Sequence, residues 1–311
     1  MPVALLLQAF YLGSFCVNLR LEEHFFIMRE NLESIFICPK CNFSLELKVF
    51  KKTRGRIHGG ELRCKKCKKV FKIIDDIVCF KKLTRTVKDK QKIQKAKRFY
   101  LGKELRKEWL KHFTKPELVM MRDQWQWMIE KTNLKGSQVH LDFCTGAGRF
   151  LGNIPDLVGG EIVTLDFGFA DCVGLRELLK KLRKYSRVTI VCADAHKMPF
   201  APSSISSITS WHGLDEPGTD KAVKESKRVL KRDGRIAASG LFYEEGSKSL
   251  KSALKWKIKF AKEGEVLKYF KKANFKDIQY RTFFKTKSLE RKDFLPKFGD
   301  YYTIYGISGR K

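Results

Sequence analysis

"VHLDFCTGAGRF", residues 139–150, ends an apolar run on Asp142 and crowds Gly146 and Gly148 into the turn that follows. A strand that stops at a carboxylate and then turns on glycines exposes its main chain, so a ligand can approach where a side chain would block it. The spacing is not the G-x-G-x-x-G of a dinucleotide turn, because the acid comes first, in the order Asp142-x-x-x-Gly146-x-Gly148. Outward from this turn, "QVHLDF", "EIVTLDF", "VTIVCAD", "SSITSW" and "GRIAASGLF" read as strands with amphipathic stretches between them. That alternation predicts an α/β fold, a parallel sheet with helices on both faces and ligands at the carboxyl ends of its strands.

The order of acids and glycines resembles motif I of the Rossmann-like (class I) S-adenosylmethionine-dependent methyltransferases, commonly D/E-x-G-x-G-x-G. Cys144 stands where the first of those glycines is usual, so the turn must admit a small side chain. The resemblance continues through four more motifs over residues 117–311. Asp166, in "VTLDFG", occupies the place of the acid that holds the ribose hydroxyls, and Asp194, in "CADAHKMPF", that of the contact to the adenine amino group. "SSISSITSWHGLDE" resembles the fourth-strand motif, and "KESKRVLKRDGRIAASG" the helix, glycine turn and fifth strand after it. "GEVLKYFKKANFKDIQY" and "YYTIYGISGRK" resemble the closing helix and antiparallel strand pair. The resemblance implies S-adenosylmethionine as cofactor, with Asp142, Cys144, Gly146, Gly148, Asp166, Phe167, Asp194, Ala195 and Ser210 around it.

Methyl transfer from a sulfonium asks mainly for alignment of a nucleophile and exclusion of water, so few catalytic side chains are needed. The loop after the fourth strand, "SWHGLDE", is placed to provide them: Trp211 as a wall, His212 as a candidate base, Asp215 or Glu216 as further carboxylates. A packing or orienting role for His212 is the alternative. Two substrate classes are disfavoured. Residues 210–216 lack the Asn/Asp-Pro-Pro-Tyr signature of exocyclic amino methylation, and no cysteine follows the fourth or fifth strand to form the adduct used at cytosine C5.

Upstream, "CPKC" at 38–41 and "CKKC" at 64–67 are separated by two strand-like stretches, "FSLELKVF" and "RIHGGEL". Each Cys-x-x-Cys turn aims two thiolates at one point, and two such turns supply the four sulfurs of a closed tetrahedral zinc site. A redox pair would instead need one Cys-x-x-Cys opening a helix. Cys38, Cys41, Cys64 and Cys67 are therefore expected to hold a structural Zn2+ in a ribbon over residues 33–80. His58 reads as a loop residue and Cys79 as an apolar strand position. A ribbon before such a domain resembles ribosomal RNA guanine methyltransferases and the small zinc-ribbon activator of tRNA and protein methyltransferases. The second half equally resembles small-molecule methyltransferases.

Charge adds an independent signal. The chain of 311 residues carries a formal net charge of +30, and residues 51–110 alone hold 22 Lys/Arg against 6 Asp/Glu. A lysine-rich solvated surface is the bland account; thermophilic enrichment would raise glutamate as well. The balance points to a polyanionic partner, RNA, with ribosomal or transfer RNA as the expected substrate. The alternatives are a small-molecule (quinone, lipid or metabolite) substrate and a non-catalytic RNA-binding protein. Residues 81–116 read as a basic helical linker, since "KKLTRTVKDKQKIQKAKR" has nine basic residues and one acid. "FYLGKELRKEWLKHF" and "PELVMMRDQWQWMIEKT" have helical spacing, with Trp109, Trp125 and Trp127 as core rather than base-stacking rings. Nine cysteines, four of them paired as above, suit a reducing, cytoplasmic setting. Residues 1–32 form an extension; "MPVALLLQAFYLGSFCVNL" is uncharged but fits neither a signal peptide nor a membrane span, and Met28 is the expected true start. A membrane-associating helix is the alternative. Because the four cysteines lie outside the glycine-turn domain, loss of zinc is expected to harm substrate binding and spare cofactor binding.

Overall fold

The computed structural model describes residues 34–53, 56–82, 87–101, 113–146, 148–215, 218–255, 264–288 and 296–311. The 1–32 extension, Trp109 and Glu216 lie outside them. In chain order the elements are β1 (Leu45–Thr53), β2 (Arg56–Cys64), β3 (Val70–Ile74), β4 (Ile77–Cys79), α1 (Val87–Leu101) and α2 (Lys115–Thr132). Then come β5 (Val139–Phe143), β6 (Glu161–Asp166), α3 (Phe169–Lys181), β7 (Val188–Cys192), β8 (Ile205–Trp211), α4 (Thr219–Val229) and β9 (Leu230–Tyr243). The chain closes with α5 (Lys248–Lys255), α6 (Glu265–Lys272), β10 (Lys276–Lys287) and β11 (Tyr301–Arg310).

β5 to β9 form the expected parallel sheet in the order β7-β6-β5-β8-β9, and β11 and β10 add antiparallel strands beyond β9. β7 is buried at all five positions and β6 at its four central ones, as befits strands covered on both faces. One expected helix is missing. Among the described residues between β5 and β6 there is only a 3-10 turn at Leu151–Asn153, in a stretch interrupted by Pro155 and by Gly159 and Gly160. Elsewhere among the described residues the helix signals hold, while most of "FYLGKELRKEWLKHF" lies outside them. α2 opens on Thr114, which accepts from the Glu117 N–H while the Glu117 carboxylate accepts from the Thr114 N–H, with Pro116 in the first turn and Asn133 closing it in the left-handed region. Trp127 is buried and Trp125 packs against the same core, as expected of both.

Two modules joined by a linker were expected; the structure fuses them. β1 to β4 are an antiparallel meander whose last strand pairs in parallel with β7, giving one continuous eleven-stranded sheet. Phe36 bridges to Phe200, and the Ile37 N–H donates to the Pro199 carbonyl at 3.0 Å. Phe36, Phe71, Phe80 and Phe200 cluster with ring centroids 4.9–5.6 Å apart, all buried, so the seam is apolar core and not linker. Removing one such ring typically costs ~3–5 kcal/mol. The Arg56 guanidinium lies over the Tyr185 ring at 3.5 Å and donates to the carbonyls of Tyr185 and Val188 at 3.1 and 3.0 Å. His58, expected in a loop, sits in β2 with its ring against the buried Asp76 carboxylate; the β2–β3 pairing extends further than the glycines at 59 and 60 suggested. Cys79 is buried in β4 as expected. The basic segment forms α1, which packs along α3 through Ile93. Among the described residues no helix is long and apolar enough to cross a membrane.

Candidate functional site

The glycine turn follows β5 at the carboxyl edge of the sheet. Cys144, Gly146 and Gly148 all have positive φ, at 52°, 49° and 66°. Cys144 thus adopts the left-handed conformation that the usual glycine takes without strain. Space for its side chain comes from Gly213, where a Cβ would stand 2.6 Å from the Cys144 Cβ. Gly148 is closely packed as well: a Cβ there would overlap the Leu175 side chain on α3, which would have to shift.

At the ends of the next two strands, Asp166 and Asp194 stand as the sequence implied. The Asp166 carboxylate accepts from the Gly146 N–H at 2.8 Å and the Gly168 N–H at 2.9 Å, so it ties the glycine turn to the end of β6. Phe167 beside it is 60% exposed, an open ring face next to the acid. Asp194 accepts from the His196 N–H at 2.9 Å, with Ala195 buried at the start of the 3-10 turn that follows. Ser210 is placed differently. It is fully buried, and its hydroxyl donates to the Phe143 carbonyl at 2.9 Å, so it braces β8 against β5 rather than facing a ligand.

Asp142 lies beneath the turn, and its carboxylate accepts from the Thr209 hydroxyl at 2.7 Å. Behind it runs a buried polar chain: Thr209 to His140 Nε2 at 2.9 Å, His140 Nδ1 to Ser207 at 2.8 Å, and Ser207 to Ser137 at 2.5 Å. Burial pushes the Asp142 carboxyl up to about 7, and burial pulls His140 down to about 3. Their effects on stability run in opposite directions. Asp142 keeps its proton in the fold above its unfolded pKa, so its contribution is full at low pH and is lost as pH rises towards 7. His140 stays neutral in the fold while the unfolded chain takes up a proton below its ordinary 6.5, so its contribution is lost as pH falls. The two slopes offset between about pH 4 and 6.5. Asp142→Asn should therefore leave a protein that loses about 1.4 kcal/mol per pH unit on acidification, and His140→Gln one that loses as much on alkalinisation. Urea unfolding of both variants across that window checks this; parallel pH profiles would contradict it.

The loop after β8 brings His212 and Asp215 together. Asp215 is buried, and its Oδ2 is 3.0 Å from His212 Nδ1, while its Oδ1 accepts from the Leu241 N–H at 2.8 Å. Burial raises the Asp215 pKa, and the His212 contact opposes that shift. With Nδ1 donating to the carboxylate, His212 Nε2 carries the ring's acceptor lone pair. His212 is held edge to face on Trp211, which also meets Trp125 at 5.5 Å. Gln124 was not singled out in the sequence, yet it is buried and its Oε1 accepts from the Trp211 indole N–H at 2.7 Å. The signal was present: a glutamine four residues from both Met120 and Met128, on the buried stripe of α2.

The four cysteines converge in the module of β1 to β4. Their sulfurs all lie within 4.8 Å of one another, with Cys38 to Cys67 at 3.6 Å and Cys41 to Cys64 at 3.4 Å. A tetrahedron with zinc–sulfur bonds of about 2.3 Å has sulfur–sulfur edges of about 3.8 Å, so the four donors fit such an ion. Because all four positions are thiolates, the site would be closed and structural.

Residues 141–234 match the family model described as "Methyltransferase domain". A demethylmenaquinone methyltransferase of Lactobacillus johnsonii is 29% identical over 113 residues, 35% of this chain and 46% of that protein. The ubiquinone/menaquinone biosynthesis C-methyltransferase UbiE of Pseudomonas aeruginosa is 33% identical over 112 residues, 35% of this chain and 43% of that protein. The chain thus spans less than half the length of these curated relatives. Among solved structures, geranyl diphosphate C-methyltransferase from Streptomyces coelicolor superposes with a TM-score of 0.51 at 11% identity, over 61% of this chain and 75% of that one. Haemonchus contortus phosphoethanolamine N-methyltransferase 2 does so with 0.50 at 20% identity, over 61% and 52%. Residues 141–234 thus match a methyltransferase domain, and the chain shares the fold of these solved S-adenosylmethionine-dependent methyltransferases.

Proposed function

We propose that this protein transfers a methyl group from S-adenosylmethionine to structured RNA, ribosomal or transfer RNA, held by a zinc-organised β-module. S-adenosylmethionine, when bound, supplies an activated methyl group. The main chain at Gly146 and Gly148 would allow its close approach, Asp166 would hold the ribose hydroxyls, and Asp194 would hold the adenine amino group. Trp211, held by Gln124 and Trp125, walls the acceptor side. His212 Nε2 receives the acceptor's proton, and Asp215 fixes the ring that does so.

The observation that carries the RNA reading is the outer hairpin of the sheet. On edge strand β1, Val49 and Phe50 are 40% and 62% exposed among the exposed Lys48, Lys51 and Lys52, and Phe43 is 47% exposed just before it. Aromatic faces interleaved with ammonium groups suit stacked bases and phosphates. The likeness to quinone C-methyltransferases favours a second reading, a small-molecule acceptor, in which this hairpin has no part. Incubation with radiolabelled S-adenosylmethionine and total RNA, and separately with a lipid and metabolite extract, decides between them. Label in RNA supports the first reading; label only in the small-molecule fraction overturns it. RNA affinity without any transfer would identify a non-catalytic binder. RNA binding should also weaken steeply with salt, because phosphate contacts release counterions.

His212→Gln is expected to lower kcat by about tenfold or more and leave S-adenosylhomocysteine affinity unchanged, and Asp215→Asn to act in the same direction. Single-turnover rates over a pH series check this. A variant with the wild-type rate and pH profile would reduce the dyad to a packing role.

A further inference from the structure

We propose that Lys81, delivered by the four-cysteine module, is a cofactor-binding residue that donates a hydrogen bond to the nucleoside portion of S-adenosylmethionine. The inference rests on the S-adenosylmethionine reading above and adds a contact from outside the segment that matches the methyltransferase model.

The topology places it there. β4 pairs in parallel with β7, so the chain leaving β4 emerges at the same carboxyl edge as the loops after β6 and β7. The register is direct: Cys79 lies opposite Cys192, and Cys192 opposite Asp166. The Phe80 N–H donates to the Cys192 carbonyl at 2.9 Å, which continues the pairing by one more residue. Lys81 therefore stands two residues past Cys79 as Asp194 stands two past Cys192, at the same height above the sheet. Its side chain reaches across the edge. Lys81 Nζ donates to the Phe167 carbonyl at 2.8 Å and stands 2.8 Å from the centroid of the Phe167 ring, the open aromatic face beside Asp166. Burial pulls the Lys81 pKa down, with Cys192, Asp194, Cys172 and Asp166 opposing that shift. The ammonium thus sits over the Phe167 ring, at the edge where the residues assigned to the ribose and the adenine end their strands.

A nucleoside entering between Phe167 and Asp194 brings ring-nitrogen and hydroxyl acceptors within reach of this ammonium, whose three donors are not all used by one carbonyl. The contact would come from a strand held in place by the four cysteines, so folding of that module would set cofactor affinity as well as substrate affinity.

The test is calorimetry with S-adenosylhomocysteine and with 5′-methylthioadenosine, which lacks the amino-acid portion. Lys81→Met should weaken both by the same factor, about tenfold for one charge-assisted hydrogen bond. Lys82→Met, at the exposed neighbouring position, should change neither. Unchanged or tighter binding to Lys81→Met, or a loss confined to S-adenosylhomocysteine, overturns the proposal. A wild type that binds neither ligand rejects the cofactor reading itself. Lysine footprinting of the unaltered protein provides a second measurement. S-adenosylhomocysteine should protect Lys81 from acetylation and leave Lys82 reactive; equal reactivity with and without ligand would also overturn the assignment.

Discussion

Asp166→Ala lowers the affinity for S-adenosylmethionine and S-adenosylhomocysteine by about 100-fold, the equivalent of two charge-assisted hydrogen bonds at ~1.5 kcal/mol each. The carboxylate accepts from the Gly146 and Gly168 N–H groups, which orients both oxygens at the mouth of the glycine turn. A ribose diol there finds an anion already held in place. Alanine removes the acceptors and also unties the turn from the end of β6, so both pocket and partner are lost together. Asp166→Asn keeps one oxygen acceptor and should lose about tenfold. Isothermal titration of the three proteins provides the measurement, and an Asp166→Ala protein that binds like wild type would end the cofactor assignment.

Cys64→Ser/Cys67→Ser should abolish zinc binding and lower the melting temperature by about 6 °C or more. Structural zinc in small modules contributes folding energy outright, and a loss of even ~4 kcal/mol, at roughly 1.5 °C per kcal/mol for a chain of this size, corresponds to ~6 °C. The fused sheet makes the damage spread. With β1 to β4 unfolded, the edge of β7 loses its partner and the rings of Phe71, Phe80 and Phe200 lose part of their cover. From sequence alone, loss of zinc was expected to spare the cofactor pocket; with β4 paired to β7, S-adenosylhomocysteine affinity should fall as well. Zinc content, scanning calorimetry and titration on the same preparations test this. Loss of zinc with an unchanged melting temperature would mean that the apolar seam holds the module without an ion.

The parts of the site that could be read in advance are those set by local spacing. Asp142, Gly146 and Gly148 belong to one strand and its turn, and Asp166 and Asp194 fall at strand ends that an apolar run followed by a carboxylate marks. The cysteine pairs announce themselves because each Cys-x-x-Cys turn is a complete local unit. Ser210 shows the limit of that reading: the resemblance to the fourth-strand motif implied a cofactor contact, but within β8 its hydroxyl turns inward to the Phe143 carbonyl. Gln124 was legible as a polar residue on an apolar helix face, but the Trp211 indole that it receives is 87 residues away.

The order of hydrophobic runs, carboxylates and glycines was enough to determine a parallel α/β sheet with a glycine turn after its first strand, because period, turn chemistry and strand termini are properties of neighbouring residues. The converging thiolates followed from spacing in the same way. What no local pattern contains is the three-residue strand Ile77–Cys79 choosing β7 as its partner. That pairing joins positions more than a hundred residues apart, and its free energy comes from the buried rings at the seam and from Arg56 on Tyr185. Strand pairing of this kind depends on surfaces that exist only once both partners have folded. It is what brings Lys81 to Phe167 and makes the basic module part of the methyltransferase sheet.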